Sequence, residues 1–315
     1  MSMLTKPLIV ITGPTATGKT ALGAALALDL GGEVISADSM QIYRGMDVGT
    51  AKPTADEMRG VPHHMIDVAD PGEDWSVARW ADMAAAAAED ILARGGRPIV
   101  VGGTGQYIDA LVQGTDFAAP GDASLRAALG AEYDAVGGDA FRAKLSAVDP
   151  ERAEKLAPAD KKRLVRAMEV YVLTGETISD HDRRTRQLPP RFAAVRFALT
   201  YNHRETLYRR IRLRVDRMEK DGLFEEVAAL LGRGLSPEST AMQAIGYKEI
   251  AAALRGECTR AEALEAVKTA SCRYAKRQLT WLRRDAGLHW LPREEYPDEA
   301  AAMEQISLCL RQEPT

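Results

Sequence analysis

Residues 7–20 read PLIVITGPTATGKT, and the ALGAALALDL that follows (21–30) stops at Gly31-Gly32. PLIVIT is a short apolar, β-branched run ending at a glycine, the pattern of a strand buried on both faces. The Ala/Leu-rich stretch after Thr20 is helical, and the glycine pair is its stop. Between them GPTATGKT matches G-x-x-x-x-G-K-[ST], in the strand–loop–helix setting that gives this pattern its meaning. Backbone N–H groups from Thr15 through Ala16, Thr17, Gly18 and Lys19 to Thr20 are expected to turn into the loop and bind phosphate oxygens. Gly13, followed by Pro14, and Gly18 supply backbone angles that a Cβ would forbid. Lys19 adds a positive charge, and the Thr20 hydroxyl is the expected Mg²⁺ ligand.

Further along, EVISAD (33–38) and HMIDV (64–68) read as short strands. Residues 76–94 read as a helix beginning near Ser76, and RPIVVGGTG (97–105) as a strand running into a glycine-rich turn. Strands alternating with helices predict an α/β fold, a P-loop-type parallel sheet core flanked by helices on both faces. The pattern changes after about residue 116. Residues 122–190 show helical periodicity only, Pro189-Pro190 closes the segment, and RFALT (196–200) returns to the sheet. Residues 204–232, 241–255 and 260–285 read as helices. The expected organisation is a first part of the core over 1–116, an all-helical insertion domain over 117–194, and completion of the core over 195–315.

The chain has 315 residues, 46% apolar and 27% charged, which suits about two globular domains and excludes wholesale disorder. Its three cysteines form no CxxC pair, so a zinc ribbon or disulfide framework is not expected. The apolar run near the N-terminus is too short for a signal peptide or a membrane span, which makes a reducing cytoplasm the default compartment. No coiled-coil seam or dimer stripe is visible, and a monomer is expected. The net charge of −4 conceals an asymmetry: residues 152–217 hold 17 Lys or Arg against 8 Asp or Glu, a surplus of +9 on a remainder of −13. Such a block fits a polyanionic partner or a solvated helical face, and charge alone leaves both open. His63-His64 does not read as a metal pair, because neighbours in a strand point to opposite faces. Trp281 reads as core.

The phosphate loop by itself does not choose a reaction. Many nucleotide-hydrolysing enzymes carry a second apolar strand ending in Asp that supports Mg²⁺. Here the strand at 99–101 ends in Gly102-Gly103 instead, and the acid at a strand end is Asp38, in ISADSMQIYRGMDVGTAKP (35–53). Ligands of open α/β sheets bind outside the carboxyl ends of the strands, so Asp38 is a candidate general base or Mg²⁺ partner; capping a turn is its other reading.

Residues 36–53 and the phosphate loop resemble the bacterial tRNA dimethylallyltransferase family. So do HHMIDVADP (63–71), VGGTGQYIDAL (101–111), RLVRAMEVYVLTG (163–175), QAIGYKE (243–249) and YAKRQLTW (274–281), in the family's order. The resemblance implies transfer of a dimethylallyl group from dimethylallyl diphosphate to N6 of the adenosine 3′ to the anticodon, with diphosphate released. It implies that Asp38 accepts the N6 proton, that Asp38, Ser39, Met40 and Gln41 contact the target nucleotide, and that Thr104 and Arg126 lie near the reacting groups. It further implies tRNA contacts from Lys162, Arg163, Leu164, Val165 and Arg166, and from Gln243, Ala244, Ile245, Gly246, Tyr247 and Lys248. Arg210 and Arg214 match an Arg-rich helix facing the diphosphate. The expected partners are thus the tRNA anticodon stem-loop and dimethylallyl diphosphate, with Mg²⁺ as cofactor. ATP phosphates would also fit the loop, because it reads phosphates and not the group attached to them. Cys272 departs from the family pattern, which usually has Arg there. A phosphoryl transferase would share the loop but should bring an Arg-rich lid, which is not visible. An enzyme prenylating free adenine nucleotides would not need the basic block.

Overall fold

Leu8–Thr12 (β1) is buried along its whole length, as its unbroken apolar run requires. In the computed structural model, which describes residues 6–115, 117 and 121–312, it lies inside a six-stranded sheet. The other strands are Gly32–Ser36 (β2), His63–His64 (β3), Arg97–Val101 (β4), Ala194–Thr200 (β5) and His289–Pro292 (β6). Their order is β3-β2-β4-β1-β5-β6, with every pairing parallel. Ile9 is in register with Ile99 on one side and Val195 on the other. The expected α/β class with a parallel sheet is the fold observed. All strand C-termini lie on one edge, so the phosphate loop after β1 and Asp38 after β2 open on the same side, separated by β4 alone.

That spacing explains the glycines after β4. A Cβ on Gly102 would lie 2.2 Å from the Ala37 carbonyl oxygen, and one on Gly13 2.3 Å from that of Leu199. Only glycine lets these backbones approach. An Asp at the end of β4 would also have to replace this contact.

The chain divides into two compact units, Met1–Val112 with Arg191–Thr315, and Gln113–Pro190. Periodicity placed the helical segment at 117–194; residues 116 and 118–120, at its expected start, lie outside the described residues. The helical unit contains helices Ala123–Val136, Gly138–Ser146, Pro150–Lys155, Lys161–Thr174 and Ile178–Thr185. Asp122, Asp149, Asp160 and Thr177 each cap a helix by accepting from a backbone N–H three residues on. The unit has its own core of Leu129, Phe141, Leu145, Leu164 and Met168.

Several sequence expectations change. The strand read at 64–68 stops at His64, because Met65 and Asp67 adopt φ of 65° and 55°, which no strand tolerates. Strand β6 was missed: it is four residues long, ends at a proline and sits on the sheet edge, so it carries little apolar alternation. The helix read at 204–232 is two, Arg204–Lys220 and Leu223–Gly232, separated by Gly222 at φ +102°. Of 241–255 only Tyr247–Leu254 is helical. Trp281 is 39% exposed and not core; one face lies on Gly105 and its indole N–H donates to Asp109 at 3.1 Å. No helix among the described residues is long and apolar enough to cross a membrane.

A candidate phosphate and nucleotide cavity at the strand ends

The phosphate loop folds onto its own second residue. The Pro14 carbonyl accepts from the Thr17 hydroxyl at 2.9 Å and from Lys19 Nζ at 2.8 Å. Ala16 (φ 66°) and Gly18 (φ 88°) take the left-handed conformation that wraps the loop, and the Lys19–Leu30 helix starts behind it. Thr15, Lys19 and Thr20 line a cavity of about 320 Å³. Enclosure lowers the Lys19 ammonium to a pKa of about 7; the charge of Arg214 acts in the same direction and Asp38 opposes it. One expectation fails in detail: the Thr15 N–H does not point freely into the loop but donates to Gln278 Oε1 at 3.1 Å. Gln278 is buried on the Arg260–Leu282 helix, and its amide also donates to the Gly103 carbonyl at 2.8 Å. It thereby ties the phosphate loop to the glycine turn after β4.

Asp38 lines the same cavity. Its Oδ1 accepts from the N–H groups of Met40 at 2.9 Å and Gln41 at 3.4 Å. Oδ2 has no hydrogen-bond partner among the described residues. The turn reading of Asp38 is therefore observed on Oδ1, which leaves Oδ2 facing no protein donor among the described residues. Ser39, Met40 and Gln41 follow it along the wall. Thr104 is not in the lining; its hydroxyl oxygen accepts from the Ser39 N–H at 3.3 Å, which anchors the Asp38 turn to the glycine turn. Gln41 bridges inward, accepting from Ser36 Oγ at 3.0 Å and donating to the Ala51 carbonyl at 3.2 Å.

Of the two arginines expected to face the diphosphate, both on the Arg204–Lys220 helix, Arg214 faces the cavity and donates to the Thr50 carbonyl at 3.4 Å. Burial pushes its pKa down, while Asp38 holds it up. Arg210, one turn earlier, is exposed outside the loop and donates to the Ala16 carbonyl at 3.3 Å. Tyr274, Arg277 and Gln278 form one stripe of the Arg260–Leu282 helix and also line the cavity. Burial raises Tyr274 to a pKa of about 12, so its hydroxyl stays protonated. Gln243, Ala244, Ile245, Gly246 and Tyr247 also line the cavity, whereas Lys248 is exposed. Cys272 is half-buried against Leu207, Ile211 and Ala275, a packing position.

The remaining expected residues lie in the helical unit. Lys162 and Arg163 are exposed, but Leu164 and Val165 are core. Glu169 is fully buried and holds three donors: Arg166 at 2.7 Å, Arg126 at 3.1 Å and the Asp122 N–H at 2.9 Å. Arg126 is half-exposed there. An isolated buried carboxylate would be costly, and these donors keep Glu169 ionised and its pKa low against its burial. The sequence reading missed Glu169, Gln278 and Tyr274. The quoted block YAKRQLTW contained the last two, and their spacing is the signal that they share a helix face.

Residues 41–285 match a family model described as IPP transferase, and residues 6–70 match one described as isopentenyl transferase. The chain is 48% identical over 305 residues to a tRNA dimethylallyltransferase of Pelotomaculum thermopropionicum, covering 96% of each chain. It is 49% identical over 308 residues to one of Desulforudis audaxviator, covering 98% of each. Among solved structures it resembles the tRNA isopentenylpyrophosphate transferase of Bacillus halodurans, with a TM-score of 0.72 at 40% identity over 98% of this chain and 97% of that one. It also resembles a eukaryotic dimethylallyltransferase acting on tRNA, with a TM-score of 0.82 at 28% identity over 96% of this chain and 78% of that one.

Proposed function

The chain belongs to the IPP transferase family, and from that premise we infer how its cavity modifies tRNA by dimethylallyl transfer. The donor is dimethylallyl diphosphate and the acceptor is N6 of the adenosine 3′ to the anticodon. The observation that carries this reading is the placement of the phosphate loop and Asp38 on the two sides of a single cavity. The diphosphate lies on the loop, with Lys19 and Arg214 as the cations that face it. The C1–O bond of the allyl group breaks, its electron pair leaves with the diphosphate, and C1 bonds to N6. The N6 proton passes to Asp38 Oδ2. Loop amides, Lys19 and Arg214 act chiefly as leaving-group charge develops. Amine N6 is weak because its lone pair is shared with the ring, so orientation by Asp38 and the residues after it matters.

Mg²⁺ fits these residues: Thr20 offers a hydroxyl at the loop, and this ion commonly takes one or two protein oxygens with substrate phosphates completing its shell. It would supply further neutralisation of the diphosphate. Arg126 acts near the reacting groups, the basic face of Lys162 and Arg163 serves tRNA binding, and one chain in the cytoplasm suffices as a monomer. A target adenine must leave its stack, which is least costly in a loop.

The test is incubation with unmodified tRNA, dimethylallyl diphosphate and Mg²⁺, followed by nucleoside mass spectrometry, with AMP as a parallel acceptor. A dimethylallyl increment on the adenosine 3′ to the anticodon supports the reading; an increment on AMP alone overturns it. Two further results are expected. Raising salt from 50 to 200 mM should weaken tRNA binding by about 10³-fold or more if six phosphates are neutralised, and a flat response in filter binding would remove the basic face from the model. Bound diphosphate should raise the Lys19 pKa from about 7 by favouring the ammonium. Binding at pH 8 should then take up close to one proton, and binding at pH 6 almost none. Calorimetry in buffers of different ionisation enthalpy reads this, and Lys19→Arg, always charged, should abolish the difference.

A further inference from the structure

Glu226 does not line the cavity, yet its carboxylate makes more hydrogen bonds than any group that does. Oε2 accepts from the N–H groups of Asp47 and Val48, both at 2.7 Å. Oε1 accepts from the Gly49 N–H at 3.0 Å and from the Tyr247 hydroxyl at 2.6 Å. Three successive backbone N–H groups converging on one anion form an anion-binding concavity, here filled by a side chain of the same protein. The partner hydroxyl is reliably a donor: burial, and after it the charge of Glu226, keeps Tyr247 protonated. Tyr247 itself is fully buried, and a Cβ on Gly49 would sit 2.6 Å from its ring, so the loop and the tyrosine are fitted to each other. Glu226 stands in the first turn of the Leu223–Gly232 helix, where a negative charge is favoured.

The gripped segment leads directly to the site. Its next two carbonyls, those of Thr50 and Ala51, accept from Gln41 Nε2 at 3.4 and 3.2 Å, and Thr50 also accepts from Arg214. Gln41 and Arg214 both line the cavity and meet at the Thr50 carbonyl. A shift of residues 47–51 would therefore move both. Lys52 pins the far end of the segment through the Tyr43 carbonyl at 2.9 Å and Asp67 at 2.6 Å.

We propose that Glu226 is a positioning residue for transfer: its carboxylate clamps residues 47–49 to Tyr247 and so fixes the Thr50 carbonyl on which Gln41 and Arg214 converge in the cavity lining. This rests on the prenyl-transfer reading above. The experiment compares Glu226→Ala, the milder Glu226→Gln and Tyr247→Phe in the full chain. A misplacement of about 1 Å typically costs on the order of 10²-fold, so Glu226→Ala should lose about 10–10²-fold in kcat while KM for dimethylallyl diphosphate stays within about twofold. Glu226→Gln, which keeps one acceptor oxygen, and Tyr247→Phe should fall between it and the parent. Hydrogen exchange at residues 47–49 should rise in the same order, with the Leu8–Thr12 strand unchanged. Loss of kcat matched by equal loss of folded protein, or exchange at 47–49 unaltered by Glu226→Ala, overturns the proposal. Exchange needs no substrate: if the parent chain prenylates no tRNA, the function fails while the clamp is still judged.

Discussion

Asp38→Asn is expected to lower kcat by about 10²–10⁴-fold, the usual worth of a general base, with tRNA affinity within a few-fold of the parent. Asn keeps an Oδ1 that can accept from the Met40 and Gln41 N–H groups, so the turn survives. What is lost is Oδ2, the oxygen without a partner among the described residues, replaced by an amide that cannot take a proton. The substitution also removes the negative charge that helps keep Lys19 protonated. Part of the loss at pH 8 would therefore be weaker diphosphate binding. Repeating the kinetics at pH 6, below the Lys19 pKa of about 7, separates the two: the base deficit persists and the binding deficit shrinks. Equal losses of tRNA binding and rate would mean that Asp38 only places RNA.

Lys19→Ala should be as damaging on the other side of the reaction. Removing one preorganised donor to a developing oxyanion costs about 10²–10³-fold in kcat, and KM for dimethylallyl diphosphate should rise with it. Without substrate Lys19 Nζ donates to the Pro14 carbonyl, so the loop loses one internal bond, while Thr17 still donates to the same oxygen at 2.9 Å. Thermal stability should change little for that reason. Binding of inorganic diphosphate and of tRNA, measured separately, locates the defect: the first should weaken and the second should not. An unchanged KM with normal diphosphate binding would place the leaving group elsewhere in the cavity.

Much of this site was legible before the fold. A strand, a glycine loop with Lys19 and Thr20, and a helix are local, since each depends on neighbours within a few residues. Asp38 was readable because it follows an apolar strand, and parallel strands bring their C-terminal ends to one edge. The resemblance pointed to residues 243–248 as a contact segment, and five of its six residues line the cavity.

Tertiary structure decided the rest, because it depends on contacts between distant residues that no periodicity encodes. Arg210 and Arg214 are one turn apart and alike in sequence, but only packing aims Arg214 inward and leaves Arg210 on the rim. Leu164 and Val165 belong to a tRNA-suggestive run, yet the helical unit needs them as core. Trp281 is large and apolar but is partly exposed, with its indole N–H on Asp109. Gln278 meets Thr15 across 263 residues, and Glu226 meets Asp47 across 179. The sequence by itself determined the phosphate loop, the acid opposite it and the α/β class, all products of local pattern. Only the folded chain decided which arginine faces the cavity and what grips the segment its lining leans on, because those depend on where distant backbones come to rest.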